Sequence, residues 1–139
     1  MAPLSILAVT RLTIGGPAAV DRARRAARGL AVSLGFHVAD AECIALATGE
    51  LAANLLRYAE MGAIVLSSVE RSGSKGVGVA SHDGGPGIAD LPRALEDGFS
   101  TGGGLGSGLP GVRRLMDEFT ISTGTTGTTI VTYKWLTRP

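Results

Sequence analysis

The sequence predicts a two-layer α/β sandwich: a mixed, mostly antiparallel sheet with helices on one face. Three observations carry this reading. Strand-like stretches sit in neighbouring pairs joined by short turns, and only antiparallel strands can be joined so closely. Two long stretches repeat apolar residues at helical spacing, so each has a side that a second layer must cover. Finally, 139 residues with 45% hydrophobic and 18% charged content suit a single globular domain, taken as 1–139, that can bury its own core. No internal repeat and no long linker divides the chain.

The elements follow in order. Residues 4–14 alternate in part, with Leu4, Ile6, Leu12 and Ile14 on one side, and are expected as a strand. Gly15-Gly16-Pro17 ends it, and Pro17 suits a first helical turn. Residues 18–34 are expected as a helix with Val20, Ala23, Ala27, Leu30 and Leu34 inward. Arg22, Arg25 and Arg28 form a stripe elsewhere on it, either a solvated face or a docking surface for an acidic partner. Asp40 is a candidate N-cap for a second helix to about residue 59, with Ile44, Ala47, Leu51, Leu55 and Tyr58 as its apolar stripe. Residues 63–69 and 77–81 read as a hairpin around the turn-rich stretch 71–76. Residues 91–97 form a short expected helix and 109–118 another. Residues 121–122 and 129–135 close the chain as strands around the turn 124–127.

Composition excludes several function classes. The net charge is +1, so there is no basic field of the kind that draws nucleic acid. Aromatic content is 4%, too little for a base-stacking platform. The single cysteine, Cys43, cannot close an internal disulfide, and a reducing cytoplasm is the expected setting. No signal peptide is expected from the first residues, and no apolar run approaches the length of a membrane span.

The chemistry concentrates in four places. Glu50, Asn54 and Arg57 recur at i, i+4 and i+7, within about 60° of one another on the rim of a helix. A solvated polar border would look the same from this helix alone. Against it stand the small neighbours Ala47, Gly49, Ala52 and Ala53. A mid-helix glycine costs about 1 kcal/mol against alanine, so Gly49 calls for a packing or ligand reason. Asp83-Gly84-Gly85-Pro86-Gly87 follows a strand directly. An ionised aspartate there is a pure acceptor, suited to an exocyclic amine such as that of adenine, or else part of an Asp-Gly turn. Pro86 stiffens the loop while Gly85 and Gly87 keep it slim.

Ser100-Thr101-Gly102-Gly103-Gly104-Leu105-Gly106-Ser107-Gly108-Leu109 leads straight into a helix. Main-chain N–H groups before a helix N-terminus form a phosphate site. Ten of the chain's 21 glycines lie between Asp83 and Gly111, enough for two loops that approach a ligand closely. A Gly-Lys-Ser/Thr ending is missing, so this is not a P-loop. Gly106, Gly108 and Gly111 match a dinucleotide spacing, but no strong strand precedes them and no acidic residue follows at the right distance. Thr128, at the entrance to the last strand, is the fourth place.

Together these stretches resemble the ATP-binding fold of the Bergerat type, shared in the GHKL superfamily by gyrase, heat-shock chaperones, histidine kinases and MutL. Glu50-Leu51-Ala52-Ala53-Asn54 is similar to its N box, Asp83-x-Gly85-x-Gly87 to its first glycine box, Gly104-Leu105-Gly106-Ser107-Gly108 to its second, and Gly127-Thr128 to its last element. All four occur in the family's order. The stretch 94–119, with Gly98-Phe99-Ser100-Thr101 and Arg114-Leu115-Met116-Asp117-Glu118-Phe119, closely resembles the switch serine/threonine kinases of bacterial stressosomes (the RsbT type), relatives of the anti-sigma factor kinases. Gly49 departs from the pattern, since a hydroxyl residue is more usual before the glutamate.

The resemblance implies a kinase that uses ATP and Mg²⁺ to phosphorylate serine or threonine on STAS-domain scaffold or antagonist proteins, and that then acts on a downstream phosphatase or effector. It implies adenine recognition by Asp83 and phosphate wrapping by Gly104, Gly106 and Gly108 within the segment from Thr101 to Leu109. Asn54 is assigned to Mg²⁺, because a neutral amide suits a cation that takes its other ligands from the triphosphate and water. Glu50 is assigned as general base or orienter for the incoming seryl hydroxyl, and Arg57 as a cation near the phosphates. His37 and His82 do not sit in a phosphoacceptor helix, so histidine autophosphorylation is not expected. Two classes stay open at this point: a protein kinase, and an ATP-gated module that acts by sequestering a partner.

Overall fold

A computed structural model of the chain describes residues 3–58, 62–83, 108–125 and 127–136. Among them lie five strands and three helices: β1 (Ser5–Thr13), α1 (Pro17–Ser33), α2 (Val38–Tyr58), β2 (Gly62–Arg71), β3 (Ser74–Asp83), α3 (Gly108–Leu115), β4 (Glu118–Gly124) and β5 (Gly127–Trp135). The strands form one sheet in the order β1-β2-β3-β5-β4. Every pairing is antiparallel. The expected mixed sheet is thus wholly antiparallel among the described residues.

The register sorts the two faces. Leu66 opposes Val79, which opposes Thr132. These positions, with Ile64, Val77, Ile130, Phe119 and Ile121, lie on the side that the helices cover and belong to or border the core. α1 and α2 both pack on β2 and β3, and α3 packs on α2. The other face carries Trp135 and Tyr133, stacked with centroids 5.9 Å apart, under the Arg71 guanidinium. Gly76 makes room for this, because a Cβ there would stand 2.7 Å from the Trp135 ring and 2.8 Å from the Lys134 carbonyl oxygen.

Several boundaries move for physical reasons. The β2–β3 turn is only Ser72-Gly73, both at positive φ (54° and 82°), the backbone that a two-residue hairpin turn demands. α2 begins at Val38, since the Ala41 N–H already donates to the His37 carbonyl. Asp40 is therefore in the first turn rather than at the cap, where its charge still favours the helix dipole. The α1 seam is Ala19, Ala23, Ala27 and Ala31, with Val20 and Leu30 at its border. Alanines at i, i+4 spacing let α1 lie close on α2. The last helix stops at Leu115, and Glu118 already belongs to β4. The short helix expected at 91–97 lies outside the described residues.

Candidate nucleotide site

The sheet end is the best-defined part of the site. Asp83 ends β3 and faces Thr128 across the β3–β5 ladder. The Thr128 N–H donates to Asp83 Oδ1 at 3.2 Å. Thr128 is buried, and its hydroxyl lies 2.9 Å from that of Thr123 on β4. Asp83, Thr128 and Thr123 share the strand phase of Val79, Ile130 and Ile121, so all three project toward the helix layer.

α2 brings the second group. Its buried side holds Ile44, Ala47, Thr48, Leu51, Ala52 and Leu55. Glu50 and Asn54 are half-buried at its rim, and Arg57 is exposed in its last turn. This helix packs on β3, the strand that ends in Asp83, and on α3, the helix that Gly108 and Leu109 open. A Cβ at Gly49 would stand 2.6 Å from Arg24 Cδ and 2.9 Å from its Cγ. The stem of Arg24, from α1, lies over α2 at Gly49.

α3 brings the third group. Gly108 opens it at φ 69°, a backbone that L side chains resist. Its first turn holds no acidic residue, and Arg113 and Arg114 sit in its last turn. The start of the helix therefore keeps its partial positive charge for an anion. Gly85, Gly87, Thr101, Gly102, Gly103, Gly104, Leu105, Gly106 and Ser107 lie outside the described residues.

Among the described residues no group of three His, Cys, Asp or Glu side chains converges as a protein-built metal site would require. Away from the site, Arg28 of α1 binds Glu42 of α2, one contact being Nη2 to Oε2 at 3.1 Å. The hydrogen bonds that Arg28 donates to Glu42 hold the Glu42 carboxyl below its ordinary value and raise that of Arg28. No helix among the described residues is long and apolar enough to cross a membrane.

Two residues that the sequence reading did not single out belong to this frame. Thr123 orients Thr128, and only the β4–β5 register reveals it. Lys134 lies in the inward phase of β5 with Ile130 and Thr132, and a lysine in that phase was the available signal.

An open antiparallel sheet with α1 and α2 on one face and α3 beside α2 has the architecture of a histidine kinase-like ATPase domain. The family model described as "Histidine kinase-like ATPase domain" matches residues 16–134. The chain is 49% identical over 115 residues to the serine/threonine-protein kinase RsbT of Bacillus subtilis, covering 82% of this chain and 86% of that one. Among solved structures it resembles the RsbU and RsbW domains of a Mycobacterium tuberculosis protein, with TM-score 0.63, 20% identity and coverage of 96% of this chain and 34% of that one. It also resembles the histidine kinase domain of a blue-light activated kinase from Erythrobacter litoralis, with TM-score 0.52, 25% identity and coverage of 86% and 60%. The chain thus spans about a third of the first structure's length and 60% of the second's. It belongs to the histidine kinase-like ATPase family and, within it, to the RsbT-type protein-serine/threonine kinases.

Proposed function

We propose that this kinase transfers the γ-phosphate of ATP to a serine or threonine on STAS-domain scaffold or antagonist partners, and then engages a downstream phosphatase or similar effector. The observation that supports this most is the pairing of a carboxylate and an amide one turn apart on α2, Glu50 and Asn54. That helix packs both on α3 and on the strand ending in Asp83. An ATP-holding module that only sequesters a partner has no need of a base beside the metal ligand.

Phosphoryl transfer asks mainly for positioning and charge neutralisation. In this reading Asp83 accepts from the adenine amine, and Thr128 sits beside it. Main-chain N–H groups of residues 101–109 wrap the phosphates as the chain enters α3. Gly85 and Gly87 carry no Cβ to hinder a close approach to the nucleotide. Arg57 adds positive charge near the triphosphate. Asn54 would hold Mg²⁺, which when bound offsets the charge of the β- and γ-phosphates. Glu50 takes the proton of the incoming seryl or threonyl hydroxyl. That oxygen bonds to the γ-phosphorus as the bond to the bridging oxygen breaks and ADP leaves.

The test is incubation with labelled ATP, Mg²⁺ and STAS-domain proteins encoded nearby, followed by mapping of the labelled residue. Label on a partner serine or threonine is the expected result. Nucleotide-dependent capture of the partner with no label transferred would overturn the kinase reading in favour of sequestration.

A further inference from the structure

We propose that Lys134 is a positioning residue that sets the nucleotide-facing end of α3 by holding its opposite end. The inference rests on the ATP-binding reading above, in which the segment entering α3 takes the phosphates. Lys134 lies on β5, on the side of the sheet that the helices cover, and its side chain is 7% exposed. An ammonium leaves water only where partners receive it. Here the Lys134 Nζ donates to the Leu115 carbonyl at 2.8 Å, and Asp117 Oδ1 stands 3.8 Å away.

Leu115 is the last residue of α3. The final carbonyls of a helix lack intrahelical donors and carry the negative end of its dipole, so a lysine there is doubly favoured. Asp117 extends the tie. The Trp135 N–H donates to Asp117 Oδ2 at 2.8 Å, and the Asp117 N–H donates to the Tyr133 carbonyl at 2.9 Å. The corner between α3 and β4 is thereby fixed to β5 from both directions.

α3 has only eight residues, a rod about 12 Å long. A rod this short passes an axial shift at Leu115 undiminished to Gly108. Leu109 and Val112 pack it into the core, but apolar contacts tolerate sliding where a hydrogen bond does not. A methionine of similar length would fill the space at position 134 and leave the Leu115 carbonyl unheld. The ammonium therefore serves the placement of α3, not the filling of the core.

The test compares wild type, Lys134→Met, Lys134→Arg and Asp117→Asn, all measured well below their melting temperatures. ATP–Mg²⁺ affinity is read by calorimetry and adenosine affinity by ligand-observed NMR. Adenosine reports the Asp83 end alone, whereas ATP also reports the α3 end. Lys134→Met is expected to weaken ATP about tenfold or more while adenosine binding stays within about twofold of wild type. Lys134→Arg, which keeps a donor, is expected to recover most of the ATP affinity, and Asp117→Asn to fall between. Equal ATP affinity in wild type and Lys134→Met would overturn the inference, as would a parallel loss of ATP and adenosine. If Lys134→Met does not fold, Lys134→Arg and Asp117→Asn decide the matter by the same ratio. A wild-type protein that binds adenosine and ATP equally would instead remove the phosphate reading beneath the proposal.

Discussion

Asp83→Asn is the sharpest test of the adenine end. The change keeps the side chain's shape. Oδ1 of the asparagine still accepts from the Thr128 N–H, the bond that measures 3.2 Å in the wild type. The Thr128 bond itself loses only the charge on its acceptor, about 1 kcal/mol. At the ligand the loss is larger. A carboxylate offers acceptors only, whereas the amide turns an NH₂ toward the adenine amine, donor against donor. A hydrogen bond to a charged group contributes about 1.5–3 kcal/mol. At about 1.4 kcal/mol per tenfold, ATP affinity should fall about 10- to 150-fold. Calorimetric titration with ATP and Mg²⁺ reads this, with a thermal melt as the control for folding. An Asp83→Asn protein that melts like wild type and binds ATP equally well would refute the assignment of Asp83.

Other substitutions probe the remaining parts. Glu50→Ala should keep ATP affinity and lose phosphotransfer by about 10²- to 10⁴-fold, read by titration and by transfer to a partner; intact turnover would remove the base assignment. Gly49→Ala and Gly76→Ala make opposite predictions from similar clashes. Gly49 meets the stem of Arg24, a half-exposed side chain that can swing away, so the gain in helix propensity of up to about 1 kcal/mol should hold or raise the melting temperature. Gly76 meets the Lys134 backbone carbonyl and the Trp135 ring, which the β-ladder holds, so alanine there should cost about 1–3 kcal/mol in a denaturant melt. The Glu42 carboxyl sits below its ordinary value of 4.5 because Arg28 hydrogen-bonds to it. A depressed carboxylate stabilises the fold above its unfolded value and loses that contribution as pH falls through the folded value. The gap in melting temperature between wild type and Glu42→Gln should therefore be full at neutral pH and close on acidification below 4.5.

The local features of this fold could be read from the chain. The β2–β3 hairpin and the two long helices depend on short-range patterns, and they stand within a few residues of where alternation and helical spacing put them. The pairing of β3 with β5 could not be read, because it joins residues about fifty positions apart and no local signal encodes it. Thr123 escaped for a different reason: it faces Thr128 only five residues on, but the strand expected at 121–122 stopped short of it. Of the α1 seam, Ala23 and Ala27 were expected inward, and Ala19 and Ala31 escaped. Hydrophobicity ranks Val20 and Leu30 above alanine, but close approach of two helices selects small residues, and Ala19 to Ala31 took the centre. The candidate site was readable as motifs, and the structure then joined Asp83 to Thr128 and set α2 beside α3.

The placement of Glu50 and Asn54 follows from how the chain distributes its rigidity. Both sit at the rim of α2, yet each has a buried neighbour in sequence: Gly49 and Leu51 flank Glu50, and Leu55 follows Asn54. The helix is held on one side by the alanine seam of α1, below by Val77 and Val79 of β3, and at its flank by α3. Neither side chain belongs to the buried core. In-line transfer is sensitive to displacements near 1 Å, and a helix clamped on three sides holds a carboxylate and an amide about 6 Å apart along its axis better than a loop can. This is why substitutions at the rim should alter chemistry with little effect on folding, while substitutions such as Gly76→Ala, on the far side of the sheet, should do the reverse.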